Sequence, residues 1–94
     1  MFEDRTILIT GAASGLGRAW AEGFSADGAT IIAADINGDG LVEVPAAHRL
    51  TVDVRNAAQV KQMIADCVKL TSRIDVLFNN AGTGFNKRLE NSAD

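Results

Sequence analysis

A strand-length apolar run, Thr6-Ile7-Leu8-Ile9-Thr10, breaks directly into Gly11-Ala12-Ala13-Ser14-Gly15-Leu16-Gly17, and the residues that follow have helical period. Three glycines in a turn that leads from a strand into a helix are a narrow constraint. They demand a backbone that bends sharply and lies close to its neighbours, as in a βα unit of a parallel sheet. The rest of the chain repeats the alternation. Strands are expected at about Thr6 to Thr10, Thr30 to Ala34, Arg49 to Val54 and Asp75 to Asn79, apolar on both faces as strands covered by helices are.

Between the first two strands, Leu16, Ala19, Trp20, Gly23 and Phe24 form one apolar helical stripe, with Gly28 placed for a left-handed C-terminus. Between the last two, Val60, Met63, Ile64, Cys67 and Val68 repeat that spacing, which predicts a helix over about Ala57 to Leu70. Asn56 followed by Gln59 resembles a capping box. The middle crossover is different: Asn37-Gly38-Asp39-Gly40 is turn chemistry and Pro45 follows, so a loop or single turn is expected there. The whole is an α/β, Rossmann-like parallel sheet of about four strands in the order 3-2-1-4. Residues 1–94 are expected to form one domain, with 83–94 as a polar, mobile tail.

The glycine turn is informative because a helix N-terminus offers unpaired N–H donors and the positive end of its dipole, which suits a pyrophosphate. By position, Gly11 makes the tight turn, Gly15 allows close backbone approach and Gly17 lets the helix pack near the sheet. Ser14 either caps the helix or bonds a phosphate oxygen, and the residues alone leave both open. Such a turn also occurs as plain architecture with no ligand. Asp35 weighs against that, since an acidic residue ending the second strand, about 20 residues beyond the glycines, is placed for an adenosine ribose. Its carboxylate accepts from the 2′- and 3′-hydroxyls and repels a 2′-phosphate, and Ile36, Asn37 and Gly38 add no cation. NAD is therefore expected over NADP. Asp is also a common turn residue, which is the simpler reading of Asp35.

Thr-Gly-x-x-x-Gly-x-Gly at 10–17 together with Asn79-Asn80-Ala81-Gly82 resembles the short-chain dehydrogenase/reductase family, over essentially Arg5 to Gly82. The resemblance implies that Asp53 accepts from the adenine amino group and that the Val54 backbone meets the ring. It also implies that Asn79 to Gly82 border the adenosine ribose and hold the sheet centre. The candidate cofactor-binding set is thus Gly11, Ser14, Gly15, Leu16, Gly17, Asp35, Ile36, Asp53, Val54, Asn80, Ala81 and Gly82. Two departures stand out. The connection from Asp35 to Asp53 is short, which is expected to thin one face of the sheet. The residues also stop before the segments that in the family supply a catalytic Asn, Ser and Tyr-x-x-x-Lys, and the chain contains no tyrosine. No catalytic residue is assigned. The family's activity is hydride transfer between NAD and an alcohol or carbonyl substrate, which these residues alone are not expected to perform. A non-catalytic NAD-binding module and a residual fragment are the alternatives.

Composition narrows the classes further. A net charge of -3 with dispersed Lys and Arg offers no field for nucleic acid. The start, Met1-Phe2-Glu3-Asp4-Arg5, is acidic and its apolar run short, so neither an export signal nor a membrane anchor is expected, and the cytoplasm is the expected compartment. His48 lacks companions at metal-ligand spacing, so no metal is expected. Cys67 sits on an apolar helical face and reads as a buried, inert thiol. Trp20 and Phe24 read as core, Lys87 and Ser92 as solvated tail. Phe85 lies either near substrate or under a further part of the fold. Strand four, with one edge unpaired, invites self-association.

Overall fold

A computed structural model describes residues 3–80. The elements are β1 (Thr6–Thr10), α1 (Gly15–Ala26), β2 (Thr30–Asp35), a 3-10 turn (Asp39–Leu41), β3 (His48–Thr51), α2 (Ala57–Thr71) and β4 (Val76–Asn79). All strands are parallel in the order β3-β2-β1-β4, with Leu8 in register with Ile32 on one side and Leu77 on the other. The expected architecture is observed.

Because alternate strand residues point to opposite faces, the apolar run in β1 feeds two cores. Ile7, Ile9, Ile31 and Ala33 pack on the α1 side with Ala12, Ala21, Leu41 and Val44, flanked by Trp20, Phe24 and Phe78. Leu8, Ile32 and Ala34 pack on the α2 side with Val52, Met63 and Cys67. The Phe78 ring lies 4.7 Å from Trp20 and 5.3 Å from Phe24, so β4 is held to α1 by aromatic contacts.

Three expectations shift. The α1 stripe is rotated: Gly17, Trp20, Ala21 and Phe24 face the sheet, while Leu16 is 55% exposed and Ala19 and Gly23 are exposed as well. Gly17 is the reason, since only a residue without a side chain permits the contact that its own turn makes with the loop, and this turns the helix about its axis. β3 ends at Thr51 rather than Val54, because β2 supplies its last partner at Asp35, which pairs with Thr51 and accepts the Val52 N–H at 3.0 Å. Beyond it, the Asp53 N–H turns to the Gln59 side chain at 2.8 Å. That bond also alters the expected capping box. Asn56 accepts the Gln59 N–H at 3.1 Å as a cap should, but Gln59 reaches back to Asp53 instead of Asn56.

The short crossover is a single 3-10 turn, as its residues predict, yet it does not leave the sheet bare. Leu41 and Val44 are 1% and 0% exposed and fill the α1-side core. Arg49, on β3, donates Nε to the Leu41 carbonyl at 2.9 Å and Nη2 to the Val44 carbonyl at 2.6 Å. One guanidinium thus satisfies the backbone oxygens that a helix would have bonded internally. Gly28 takes φ +93° after α1, where the Gly28 N–H reaches the Ser25 carbonyl and the Ala29 N–H the Phe24 carbonyl. Those two bonds are the Schellman pattern.

Candidate dinucleotide site

The carboxyl ends of the parallel strands carry the loop and its neighbours, the position at which open α/β sheets bind ligands. Gly11 and Gly15 have φ of +67° and +56°, a region that side chains with a Cβ avoid. A Cβ on Gly17 would collide with the Gly11 carbonyl and approach Asn80 Nδ2 to 3.0 Å. The loop therefore folds back on the first turn of α1, and only glycine permits it. Ser14 takes the N-cap position in an extended conformation, and its hydroxyl makes no cap bond. Of the two roles left open for Ser14, capping is thus not the one in use. The exposed Ser14, Gly15 and Leu16 form the outer lip of the helix start.

Asp35 ends β2 with both carboxylate oxygens engaged. Oδ2 accepts the Ala13 N–H at 3.0 Å and Oδ1 the Asn37 N–H at 2.9 Å. The second is the Asx turn expected of an ordinary turn residue. The first reaches across to the glycine loop, which such a residue has no need to do. Ile36 next to it is largely exposed.

Asp53 lies past the end of β3, tied to a partner that the sequence reading did not single out. Its Oδ1 accepts the Arg55 N–H and Nε–H, each at 3.0 Å, and its Oδ2 accepts Arg55 Nη2 at 3.1 Å. The Arg55 guanidinium beside it holds the Asp53 carboxyl below the usual carboxylate range, and Asp53 in turn raises Arg55. The signal was present as Asp-x-Arg directly after a strand, a spacing at which a turn brings both side chains together. Val54 packs partly buried against the α2-side core.

From β4, Asn79 Oδ1 accepts the Thr10 hydroxyl at 2.8 Å, and Asn80 Nδ2 donates to the Gly11 carbonyl at 3.4 Å. The two asparagines thus brace the end of β1 and the first glycine. Ala81 and Gly82, also in the candidate set, lie outside the described residues, as do Phe85, Lys87, Ser92 and the expected tail. The structure brings Gly11, Gly17, Asp35 and Asn80 into one hydrogen-bonded and packed neighbourhood, with Asp53 and Val54 beyond β3 on its flank. Among the described residues no three His, Cys, Asp or Glu side chains gather as a metal site. No helix among them is long and apolar enough to cross a membrane.

Comparison with known proteins bears on the family and the fold. The short chain dehydrogenase family model matches residues 5–94. Levodione reductase of Leifsonia aquatica is 41% identical over 91 residues, covering 86% of this chain and 34% of the relative. Meso-2,3-butanediol dehydrogenase of Serratia marcescens is 37% identical over 87 residues, covering 86% and 35%. The crystal structure of 3-ketoacyl-(acyl-carrier-protein) reductase from Brucella melitensis complexed with NADH superposes with a TM-score of 0.78 at 28% identity, covering 82% of this chain and 34% of that one. The chain spans about a third of the length of the curated relatives it matches. The family model spans both the glycine loop and the Asn-Asn-Ala-Gly segment, and the chain belongs to the short-chain dehydrogenase family.

Proposed function

We propose that residues 1–94 act as one dinucleotide-binding unit, the NAD-binding portion of an oxidoreductase that moves hydride between NAD and an alcohol or carbonyl group. The observation that carries the reading is the Asp35 carboxylate at the end of β2, one hydrogen bond from the glycine loop at Ala13. A pyrophosphate at the start of α1 would meet free N–H donors and the positive end of the helix dipole. An adenosine ribose beside it would meet Asp35. A 2′-phosphate would meet the same negative charge, and none of the ion pairs among the described residues involves Asp35, so NAD is favoured over NADP. Asp53 and Val54 would take the adenine edge, with Asn80, Ala81 and Gly82 at the ribose. The bound nicotinamide supplies the hydride chemistry. The residues here bind and orient it. No tyrosine is present among them, so the proton transfer that the family assigns to tyrosine is not assigned to any of these side chains.

Calorimetry with NAD and NADP tests this directly. Saturable binding that prefers NAD is expected, with Asp35→Ala lowering NAD affinity and narrowing the preference. A folded chain that binds neither cofactor would leave the glycine loop as architecture only.

A second reading concerns assembly, and one observation favours it. Ile64, Val68 and Leu77 are 37%, 48% and 40% exposed on the α2 side, beside a β4 whose outer edge has no strand partner among the described residues. Apolar surface next to an open strand edge favours association. We infer that the 94-residue chain self-associates or pairs through β4. Sedimentation that gives a monomer with a sharp, high-temperature unfolding transition would overturn that inference. We also propose a cytoplasmic setting, which suits the free, buried thiol of Cys67.

A further inference from the structure

Asp35 stands in a position to do more than face a ribose. Next to the bond from Ala13 N–H to Asp35 Oδ2 at 3.0 Å, the Ala12 N–H donates to the Ala34 carbonyl at 3.1 Å. The end of β2 therefore continues its hydrogen-bond ladder onto the glycine loop, first with a backbone acceptor and then with a carboxylate. On the opposite flank the loop is held by Asn80 at Gly11 and by the packing of Gly17 on the Gly11 carbonyl. Between these anchors lie glycines with positive φ, which carry little conformational preference of their own. Where intrinsic stiffness is low, each tether decides how much of the loop is ordered before a ligand arrives, and ordering it beforehand saves that cost on binding.

We propose that Asp35 is a positioning residue for the phosphate loop, latching the Ala13 N–H so that the loop is preset for a pyrophosphate independently of any contact with ribose hydroxyls. The proposal rests on the NAD-binding reading above and adds a second role to the same side chain. The two roles are compatible, because each carboxylate oxygen has two acceptor positions and each now uses one. A consequence follows for cofactor preference. Replacing Asp35 to admit a 2′-phosphate also releases the loop, so the gain for NADP is offset by a loss shared by both cofactors. Asparagine separates the roles. Its carbonyl oxygen still accepts from the part-buried Ala13 N–H, while the exposed Asn37 N–H turns to water and the charge is gone.

The test uses the 94-residue chain, isotopically labelled, with hydrogen exchange of the Ala13 amide measured without ligand. In parallel, ADP and 2′,3′-dideoxy-ADP are titrated; the second has no hydroxyl for Asp35 to bind. In Asp35→Ala, Ala13 exchange is expected to rise about tenfold as the protecting bond is lost. Dideoxy-ADP affinity is expected to fall about five- to tenfold, the size of one net hydrogen bond, and to stay within about twofold of the parent in Asp35→Asn. If Asp35→Ala does not fold by circular dichroism, Asp35→Ser, with a hydroxyl too short to span to the amide, takes its place. Unchanged Ala13 exchange and unchanged dideoxy-ADP affinity in the truncated variant would overturn the latch and leave Asp35 acting on the ribose alone. Failure of the parent chain to bind either nucleotide would instead sink the NAD-binding reading, and the latch then stands or falls on Ala13 exchange.

Discussion

At the carboxyl end of the sheet Asp35 accepts the Ala13 N–H at 3.0 Å, and at the amino end Asp75 accepts the Thr6 N–H at 2.7 Å. Both carboxylates stitch a neighbouring strand or loop onto β1's path, but their surroundings differ. Asp75 is ringed by cations: Arg73 Nε lies 3.0 Å away and Arg5 3.9 Å, while Arg73 also donates to the Asp4 carbonyl at 2.8 Å. Asp35 has backbone N–H partners and no ion pair among the described residues. At the amino end the Asp75 charge is thus answered within the chain by two guanidiniums. The carboxyl end keeps a carboxylate whose charge is answered only by backbone dipoles, and that leaves it able to act on something from outside.

The sharpest way to break this comparison is at Gly17. Gly17→Val forces a branched side chain against the Gly11 carbonyl and Asn80. Overpacking of this kind costs about 1–3 kcal/mol, and here it also displaces the loop, so dinucleotide binding should be lost outright in calorimetry. A variant that still binds NAD at parental affinity would show that the loop and α1 can separate without consequence.

Asp75 comes next, and it should behave in the opposite sense. Asp75→Asn is expected to lower the thermal unfolding midpoint while leaving NAD affinity unchanged; a loss of affinity at constant stability would contradict the division between the two ends. The Thr6 N–H and the Arg73 and Arg5 guanidiniums together hold the Asp75 carboxyl below its ordinary range, against the effect of burial. A lowered folded-state value means that its stabilisation is present above the unfolded-state value, about 4, and is lost as pH falls through the folded one. The midpoint of the parent should therefore drop in acid, and Asp75→Asn should flatten that drop.

Arg49→Met sharpens the comparison from the side of the short crossover. It keeps much of the stem's volume but leaves the Val44 carbonyl without its donor and the Leu41 carbonyl with only the Val44 N–H, a loss of about 1–2 kcal/mol read by denaturant unfolding. If cofactor affinity falls with it, the crossover serves the site as well as the core.

The smallest effect is expected at Cys67, whose thiol is raised by burial with the Asp66 charge adding to it. A thiol reagent should label it only as fast as the chain opens, in contrast with immediate labelling under denaturing conditions. Rapid labelling of the folded chain would place Cys67 outside the α2-side core.

Local pattern was enough for much of this molecule. The strand-length apolar runs, the loop glycines, the Asn56 cap and the turn chemistry at 37–40 each act within a few residues, so composition and spacing announce them. The same holds for the pairing of Asp35 with the glycine loop as candidate partners, since a βαβ unit of ordinary length brings those positions together. What spacing could not supply were contacts that depend on where an element stops. Gln59 on the Asp53 N–H exists because β3 runs out of partner at Asp35, whereas the Asp53–Arg55 pair was legible as Asp-x-Arg after a strand.

The alternating elements, the glycine turn and its acidic companion were therefore determined by the sequence itself, and the order 3-2-1-4 came with the family resemblance they carry. The tertiary structure decided the rotation of α1, through the close approach of Gly17 to a carbonyl six residues earlier. It decided which carboxylate is closed by cations and which is left to backbone donors. Those outcomes depend on how the folded backbone brings residues within contact, which the period of apolar residues does not record.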